Sequence, residues 1–196
     1  MDENIGLFDL DGSLADYEGQ LMADLRRMHS HWEPPLPESP FEAEKLPWLK
    51  ARMELIKAQP GWWANLPVMD AGKRVLELAR TIGFDCSVLT KGPRRHALAW
   101  KEKLEWSFQN LGEIEVTITF NKSNTYGKFL YDDYPEFCYG WLANRPRGLV
   151  IMPVKKITPE HNHPRIVQYD GNNFVEVHQA LQICYDRRAN EPLILR

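Results

Sequence analysis

Along the chain, short apolar runs that stop at a polar residue alternate with longer stretches whose apolar positions recur every three or four residues. Ile5-Gly6-Leu7-Phe8 halts at Asp9, the form of a buried strand whose carboxyl end opens into a loop. Residues 17–28 place Leu21, Met22, Leu25 and Met28 at helical spacing. Pro34, Pro35, Pro37 and Pro40 then forbid a regular helix. Residues 46–58 are helical again by pattern, until Gln59-Pro60-Gly61 ends them before the pair Trp62-Trp63. A helix over 70–82, stopped by Gly83, precedes the strand Cys86-Ser87-Val88-Leu89, which ends at Thr90. A further helix over 95–111 leads to the alternating residues 114–120, and Phe129-Leu130-Tyr131 runs into Asp132-Asp133. Residues 148–154 read as one more strand and 174–187 as a last helix, while the polar, proline-interrupted stretch 155–170 carries no deciding pattern.

Strands alternating with helices predict an α/β fold built on a doubly wound parallel sheet. Residues 17–68 read as a small helical cap inserted after the first strand, with 1–16 and 69–196 forming the core. The length of 196 residues suits this, since one domain commonly holds roughly 100 to 200. A composition 43% hydrophobic and 26% charged, without a long like-charge run, excludes a disordered chain. The net charge of -3 provides no basic field and so excludes a sequence-independent grip on duplex nucleic acid.

Cys86, Cys138 and Cys184 are odd in number and form no CxxC pair, which argues against a disulfide framework or zinc site. They read as reduced thiols of a cytoplasmic protein. No run approaches the roughly 18 apolar residues of a membrane span, and no secretory leader pattern opens the chain, so neither a membrane nor export is expected.

The chemistry gathers at strand ends. Asp9 and Asp11, then Thr90, then a lysine, then Asp132 and Asp133 each follow a predicted strand in order. A carboxylate such as Asp9 can attack phosphorus and divide hydrolysis into two easier steps through an acyl phosphate. A second carboxylate two residues on can give a proton to the leaving oxygen and later take one from water. Magnesium requires hard oxygen ligands, which Asp9 and Asp132 can supply. A hydroxyl at Thr90 and fixed lysines suit the charge on a transferring phosphoryl group.

This ordered set, Asp9-Leu10-Asp11-Gly12-Ser13, Thr90, a lysine and the Asp132-Asp133 pair, resembles the haloacid dehalogenase superfamily over about residues 1 to 140. The segment continuing through Leu14-Ala15-Asp16-Tyr17-Glu18-Gly19 is similar to the opening of the 5'(3')-deoxyribonucleotidases. So are Glu102-Lys103-Leu104-Glu105-Trp106 and the ten-residue step from Lys122 to Asp132. The resemblance implies a magnesium-dependent phosphomonoesterase acting on (deoxy)nucleoside monophosphates. It makes Asp9 the nucleophile and Asp11 the acid/base, with Asp9, Asp132 and the Asp11 main-chain carbonyl holding Mg2+ and Asp133 orienting the metal through bound water.

Lys103 matches the phosphate lysine, while Lys122 competes for the same label, and the sequence does not rank them. Tyr17 takes the place of a base-stacking aromatic, and Trp62 or Trp63 can form a second wall, of which we take Trp62. Relatives are often dimers, so a homodimer is expected by analogy. The sequence departs from the family at Lys91, which replaces a hydroxyl residue. If it points inward, it makes the phosphate pocket more positive and shifts preference toward a more highly charged ester. If it points outward, it contributes only its backbone N–H.

Two further readings stay open: a phosphatase for another small ester, such as a sugar phosphate or nucleic-acid end, and a catalytically silent binding module. Retention of both Asp9 and Asp11 argues against the second. Arg94 and Arg95 read as solvent-facing, because cations in a first helical turn oppose the helix dipole. Glu160-His161-Asn162-His163 reads as a solvated turn rather than a metal or HNH-type nuclease site. Trp100, Trp106 and Phe108 sit at helical spacing and read as packing.

Overall fold

A computed structural model of the chain describes residues 4–94, 96–155, 161–188 and 190–195. Six strands form one parallel sheet: β1 (Ile5–Phe8), β2 (Asp85–Lys91), β3 (Glu115–Thr119), β4 (Phe129–Tyr131), β5 (Leu149–Pro153) and β6 (Ile166–Tyr169). Their spatial order is β3-β2-β1-β4-β5-β6, which is the doubly wound arrangement the sequence predicts. The chain moves outward from β1 through β2 to β3, then returns to the far side of β1 with β4. The crevice at this reversal, outside the carboxyl ends of β1 and β4, is where open α/β sheets bind ligands.

Parallel strands are covered on both faces, so their residues alternate between two cores. Phe8, Val88, Phe129, Tyr131, Leu149 and Ile151 point to one face. There they meet Val75, Leu76 and Ala79 of α4 (Asp70–Ile82), Trp106 of α5 (Ala97–Leu111), and Val177 and Leu181 of α7 (Phe174–Asp186). Leu7, Leu89, Leu130, Val150 and Met152 point to the other face and pack on Cys138, Trp141 and Leu142 of α6 (Pro135–Asn144). The register Gly6↔Phe129, Leu7↔Leu130, Phe8↔Tyr131 keeps both sets aligned across the reversal. Cys86, Cys138 and Cys184 are all free and buried, as expected.

Between β1 and α4 lie α1 (Tyr17–Arg27), α2 (Pro40–Ala43) and α3 (Pro47–Lys57). They share their own apolar cluster, built from Leu21, Met22, Leu25, Ala43, Leu49, Met53 and Ile56. The two ends of this segment meet in one antiparallel bridge between Ala15 and Val68, where Asp16 N–H donates to Pro67 O and Met69 N–H to Leu14 O, both at 2.8 Å. The short α2 corrects the reading of the proline-rich stretch. Pro40 stands in its first turn, where a missing N–H costs nothing, and Ser39 caps it by accepting from Glu42 N–H. Arg95, proposed to open α5, lies outside the described residues. No helix of the described residues is long and apolar enough to cross a membrane.

Candidate active site

Five strand ends deliver polar groups to the crevice at the reversal. β1 delivers Asp9, which is nearly buried and held by its N–H to Tyr131 O at 2.8 Å. The chain then turns so that Leu14 and Ala15 N–H both donate to Leu10 O, which brings Asp11 back over the sheet edge. Gly12 makes this turn possible. Its φ is 78°, and an added Cβ would lie 2.7 Å from Lys155 Nζ and 2.8 Å from Asp133 Oδ2.

β2 delivers Thr90, fully buried, and β3 leads into a short 3-10 turn that begins at Lys122. The Lys122 ammonium lies 2.6 Å from Asp9 Oδ1 and 2.7 Å from Asp132 Oδ2. It also sits 4.9 Å from the centre of the Phe137 ring. Lys103 rises from α5 to an ion pair with Asp11 and donates to Thr90 Oγ1 at 3.1 Å and Lys91 O at 2.7 Å. The two lysines that sequence left unranked therefore have separate posts: Lys122 serves the Asp9–Asp132 side and Lys103 the Asp11–Thr90 side.

β4 ends at Asp132 and Asp133. Asp132 accepts from Tyr134 N–H at 2.9 Å, and Asp133 from Ser13 Oγ at 3.1 Å. β5 leads to Lys155, an unforeseen member, whose ammonium pairs with both Asp133 and Glu18 of α1. The signal for it was slight, since Lys155 opens the stretch that had no deciding pattern.

Asp9, Asp132 and Asp133 each offer one oxygen, and these oxygens lie within 4.8 Å of one another. Among the described residues, five carboxylates (these three, Asp11 and Glu18) face three ammoniums (Lys103, Lys122 and Lys155). With all five carboxylates ionised two positive charges are wanting, the charge of one divalent cation. Hard oxygen ligands at the cluster fit magnesium. The Asp11 side chain turns away to Lys103 and is not in this triplet, which leaves only its main-chain carbonyl for the metal role the resemblance gives it.

Burial sets the proton affinities. It pushes the Asp132 carboxyl up to about 7, against the pull of Lys122 and with the repulsion of Asp9. Burial likewise raises Asp133 and Asp11, and the charge of Asp9 adds to both. Lys122 is raised despite its burial, because Asp132 and Asp9 flank it. The side chain of Asp11 still keeps 24% of its surface open. Its Oδ1 is buried without a hydrogen-bond partner among the described residues, so a carboxyl whose proton affinity burial raises keeps one oxygen uncommitted.

A cleft of about 420 Å³ opens from Asp11 and Lys103 and is lined by Tyr17, Trp63, Lys91, Arg94 and Phe120, among others. Tyr17 and Trp63 are stacked, with ring centres 5.4 Å apart and an interplanar angle of 19°. Trp62 is not among the residues lining this cleft. Its indole N–H donates to Asp24 Oδ2 at 2.7 Å and its ring packs with the helices of the inserted segment, whereas Trp63 takes the cleft wall. Glu102, also unforeseen, makes this possible by accepting from Gly61 N–H at 2.7 Å and Trp63 N–H at 3.1 Å.

Lys91 is exposed at the border of the cleft, with its ammonium 5.1 Å from the centre of the Phe137 ring. Arg94 is exposed, in keeping with its reading as a solvent-facing residue, and it also borders the cleft. His161 shares a hydrogen bond with Tyr139 at 2.9 Å and His163 lies against the same ring. Neither belongs to the carboxylate cluster.

No protein-family model matches the chain, and no curated protein is similar to it in sequence. Solved structures do match. A haloacid dehalogenase-like family hydrolase from Xanthomonas campestris aligns over 95% of this chain and 99% of its own, at 14% identity and a TM-score of 0.58. A haloacid dehalogenase-like hydrolase assigned in Burkholderia xenovorans aligns over 95% and 97%, at 13% identity and 0.55. A protein assigned as a β-phosphoglucomutase from Thermotoga maritima aligns over 93% and 97%, at 15% identity and 0.50. The chain thus has the α/β fold of haloacid dehalogenase-like hydrolases, with its six-stranded parallel sheet between helical layers.

Proposed function

We propose that the protein is a magnesium-dependent phosphomonoesterase that hydrolyses (deoxy)nucleoside monophosphates through an aspartyl-phosphate on Asp9. The observation that carries this reading is the convergence on one crevice of Asp9, the Asp11 carboxyl with its uncommitted oxygen, two buried lysines and the carboxylate triplet. Asp9, Asp132, Asp133 and the Asp11 main-chain carbonyl would hold the metal. Bound there, magnesium supplies positive charge that offsets repulsion between a carboxylate nucleophile and an anionic ester.

The residues divide the work by position. An Asp9 oxygen attacks phosphorus, the P–O bond to the nucleoside breaks, and Asp11 delivers its proton to the departing oxygen. Water then attacks the same phosphorus while Asp11 takes its proton, which frees phosphate and restores Asp9. Thr90, Lys103 and Lys122 donate to the phosphoryl oxygens, whose charge grows in the transition state. Lys103 is paired with Asp11 in the free protein. An arriving phosphate draws that ammonium away and removes the cation that opposes the raised proton affinity of Asp11. Substrate binding itself therefore arms the general acid.

The nucleotide part of the reading rests on the cleft. Its volume of about 420 Å³ falls within the roughly 300 to 1,000 Å³ of small-molecule sites, and the Tyr17–Trp63 pair offers a flat apolar wall for a base. Assaying deoxynucleotides, ribonucleotides and sugar phosphates with magnesium, and again with a chelator, tests it. Turnover of nucleotides that stops on chelation is expected. Sugar phosphates hydrolysed in preference to every nucleotide would sink the substrate assignment, and turnover indifferent to chelation the metal.

A further inference from the structure

The end of β2 and the loop that follows it carry two cations that the hydrolysis of one monoester does not require. Of the cations lining the cleft, Lys103 is paired with Asp11, and Lys57 with Glu54 at 2.5 Å. Lys91 and Arg94 have no carboxylate partner among the described residues. Each lies instead over a ring: Lys91 at 5.1 Å from the centre of Phe137, and Arg94 at 5.1 Å from that of Phe120.

These cations sit on a loop fixed from below. Lys91 is the last β2 residue in register with β3, opposite Thr119. Gly92 packs against Trp100 so closely that an added Cβ would lie 2.3 Å from the indole. Pro93 O accepts from the Trp100 indole N–H at 3.0 Å. Trp100 in turn meets Phe120 edge to face at 5.7 Å, and Phe120 carries Arg94. The β2–β3 register therefore fixes Lys91 and the Trp100–Phe120 pair fixes the loop after it, which puts a lysine and an arginine on the border of the cleft, one and four residues beyond Thr90. A guanidinium resting on a ring keeps its in-plane N–H donors free for an anion.

The reacting phosphoryl group already has Thr90, Lys103, Lys122 and the metal. We infer that Lys91 and Arg94 form a second anion subsite, and that the preferred substrate is a nucleoside bearing two phosphoryl groups, one cleaved at Asp9 and the other held on this loop. The inference rests on the nucleotide reading above and deepens it. In the reaction Asp9 displaces the P–O bond to the leaving group, an ester in a bisphosphate or an anhydride in a diphosphate, water then frees inorganic phosphate from Asp9, and the second phosphate is retained on the product.

The test compares kcat/KM at fixed ionic strength for a deoxynucleoside 5'-monophosphate, its 3',5'-bisphosphate and its 5'-diphosphate, with p-nitrophenyl phosphate as a base-free ester. The proteins compared are the wild type, Lys91→Gln, Arg94→Gln and the double variant. The wild type should favour a doubly phosphorylated nucleotide by about ten-fold or more, mainly through KM, in keeping with two charge-assisted contacts. The two doubly phosphorylated substrates show which spacing the loop accepts. Most of that preference should vanish in the double variant, and it should shrink with added salt. A monophosphate used as well as both doubly phosphorylated forms, or a preference that survives the double substitution, overturns the inference and leaves the nucleotidase reading intact. Hydrolysis of p-nitrophenyl phosphate without turnover of any nucleotide overturns both.

Discussion

Lys122 is a single ammonium, almost fully buried, held between two carboxylates. Removing it leaves Asp9 and Asp132 unpaired, and breaking a buried pair commonly costs about 3 to 5 kcal/mol. Lys122→Met should therefore lower the melting temperature markedly without metal and recover part of the loss with magnesium, read by calorimetry in both conditions. An unchanged melting temperature would show that this pairing does not hold the site together. Asp11 gives a prediction in pH. Burial raises its proton affinity, so the acid form persists to higher pH than for an ordinary aspartate, and activity should fall as rising pH removes that proton. Asp11→Asn should abolish this alkaline limb and slow nucleotide hydrolysis by about 10²- to 10⁴-fold, with a smaller loss on p-nitrophenyl phosphate, whose leaving group needs little protonation. Equal losses on both esters would contradict the acid role. At this scale Asp9, Asp11, Thr90 and the Asp132-Asp133 pair were legible, because each ends an apolar run. Trp63, Glu102 and Lys155 were not, because their roles depend on contacts across 39, 41 and 137 residues of chain.

Among the elements, α5 joins the inserted helices to the catalytic lysine. Glu102 fixes the Gly61–Trp63 turn, and the next residue, Lys103, reaches Asp11 with its ammonium 5.0 Å from the Trp63 ring centre. Cleft wall and phosphate lysine are thus set by adjacent positions on one helix. Loss of the ring in Trp63→Ala should raise KM for nucleotides by about 5- to 100-fold, as expected for roughly 1 to 3 kcal/mol of base stacking. Its effect on a sugar phosphate should be small. A uniform effect on all esters would make the ring a packing group only. Element periodicity in the sequence located β1, β4 and α4 to the residue and the others to within two residues at the ends described. It missed α6, where Phe137, Cys138, Trp141 and Leu142 leave little polar contrast around the helix and Pro135 heads the first turn. It also missed α2, a single turn headed by Pro40, and β6, four residues at the sheet edge inside a polar, proline-interrupted stretch.

Across the whole molecule, the strand order places five strand ends around one crevice, and their acidic groups exceed the facing ammoniums by the charge of a divalent ion. A metal that binds only the folded chain stabilises it by about 2.7 kcal/mol at a hundred-fold excess over Kd. Magnesium should therefore raise the melting temperature, and Asp132→Asn should remove that rise; a variant that keeps the full rise would place the metal elsewhere. The order of strands and helices, and hence the fold, was readable from the sequence. The charge balance was not, since Glu18 and Lys155 come together only through folding. The central claim is that Asp9 becomes covalently phosphorylated. Rapid acid quench of enzyme turning over a nucleotide, followed by mass spectrometry of its peptides, reads this directly. The peptide containing Asp9 should carry one phosphoryl group, labile to hydroxylamine, that Asp9→Asn abolishes together with activity, by on the order of 10⁴-fold or more. Full turnover by Asp9→Asn, or a phosphoryl group on another residue, would contradict the account.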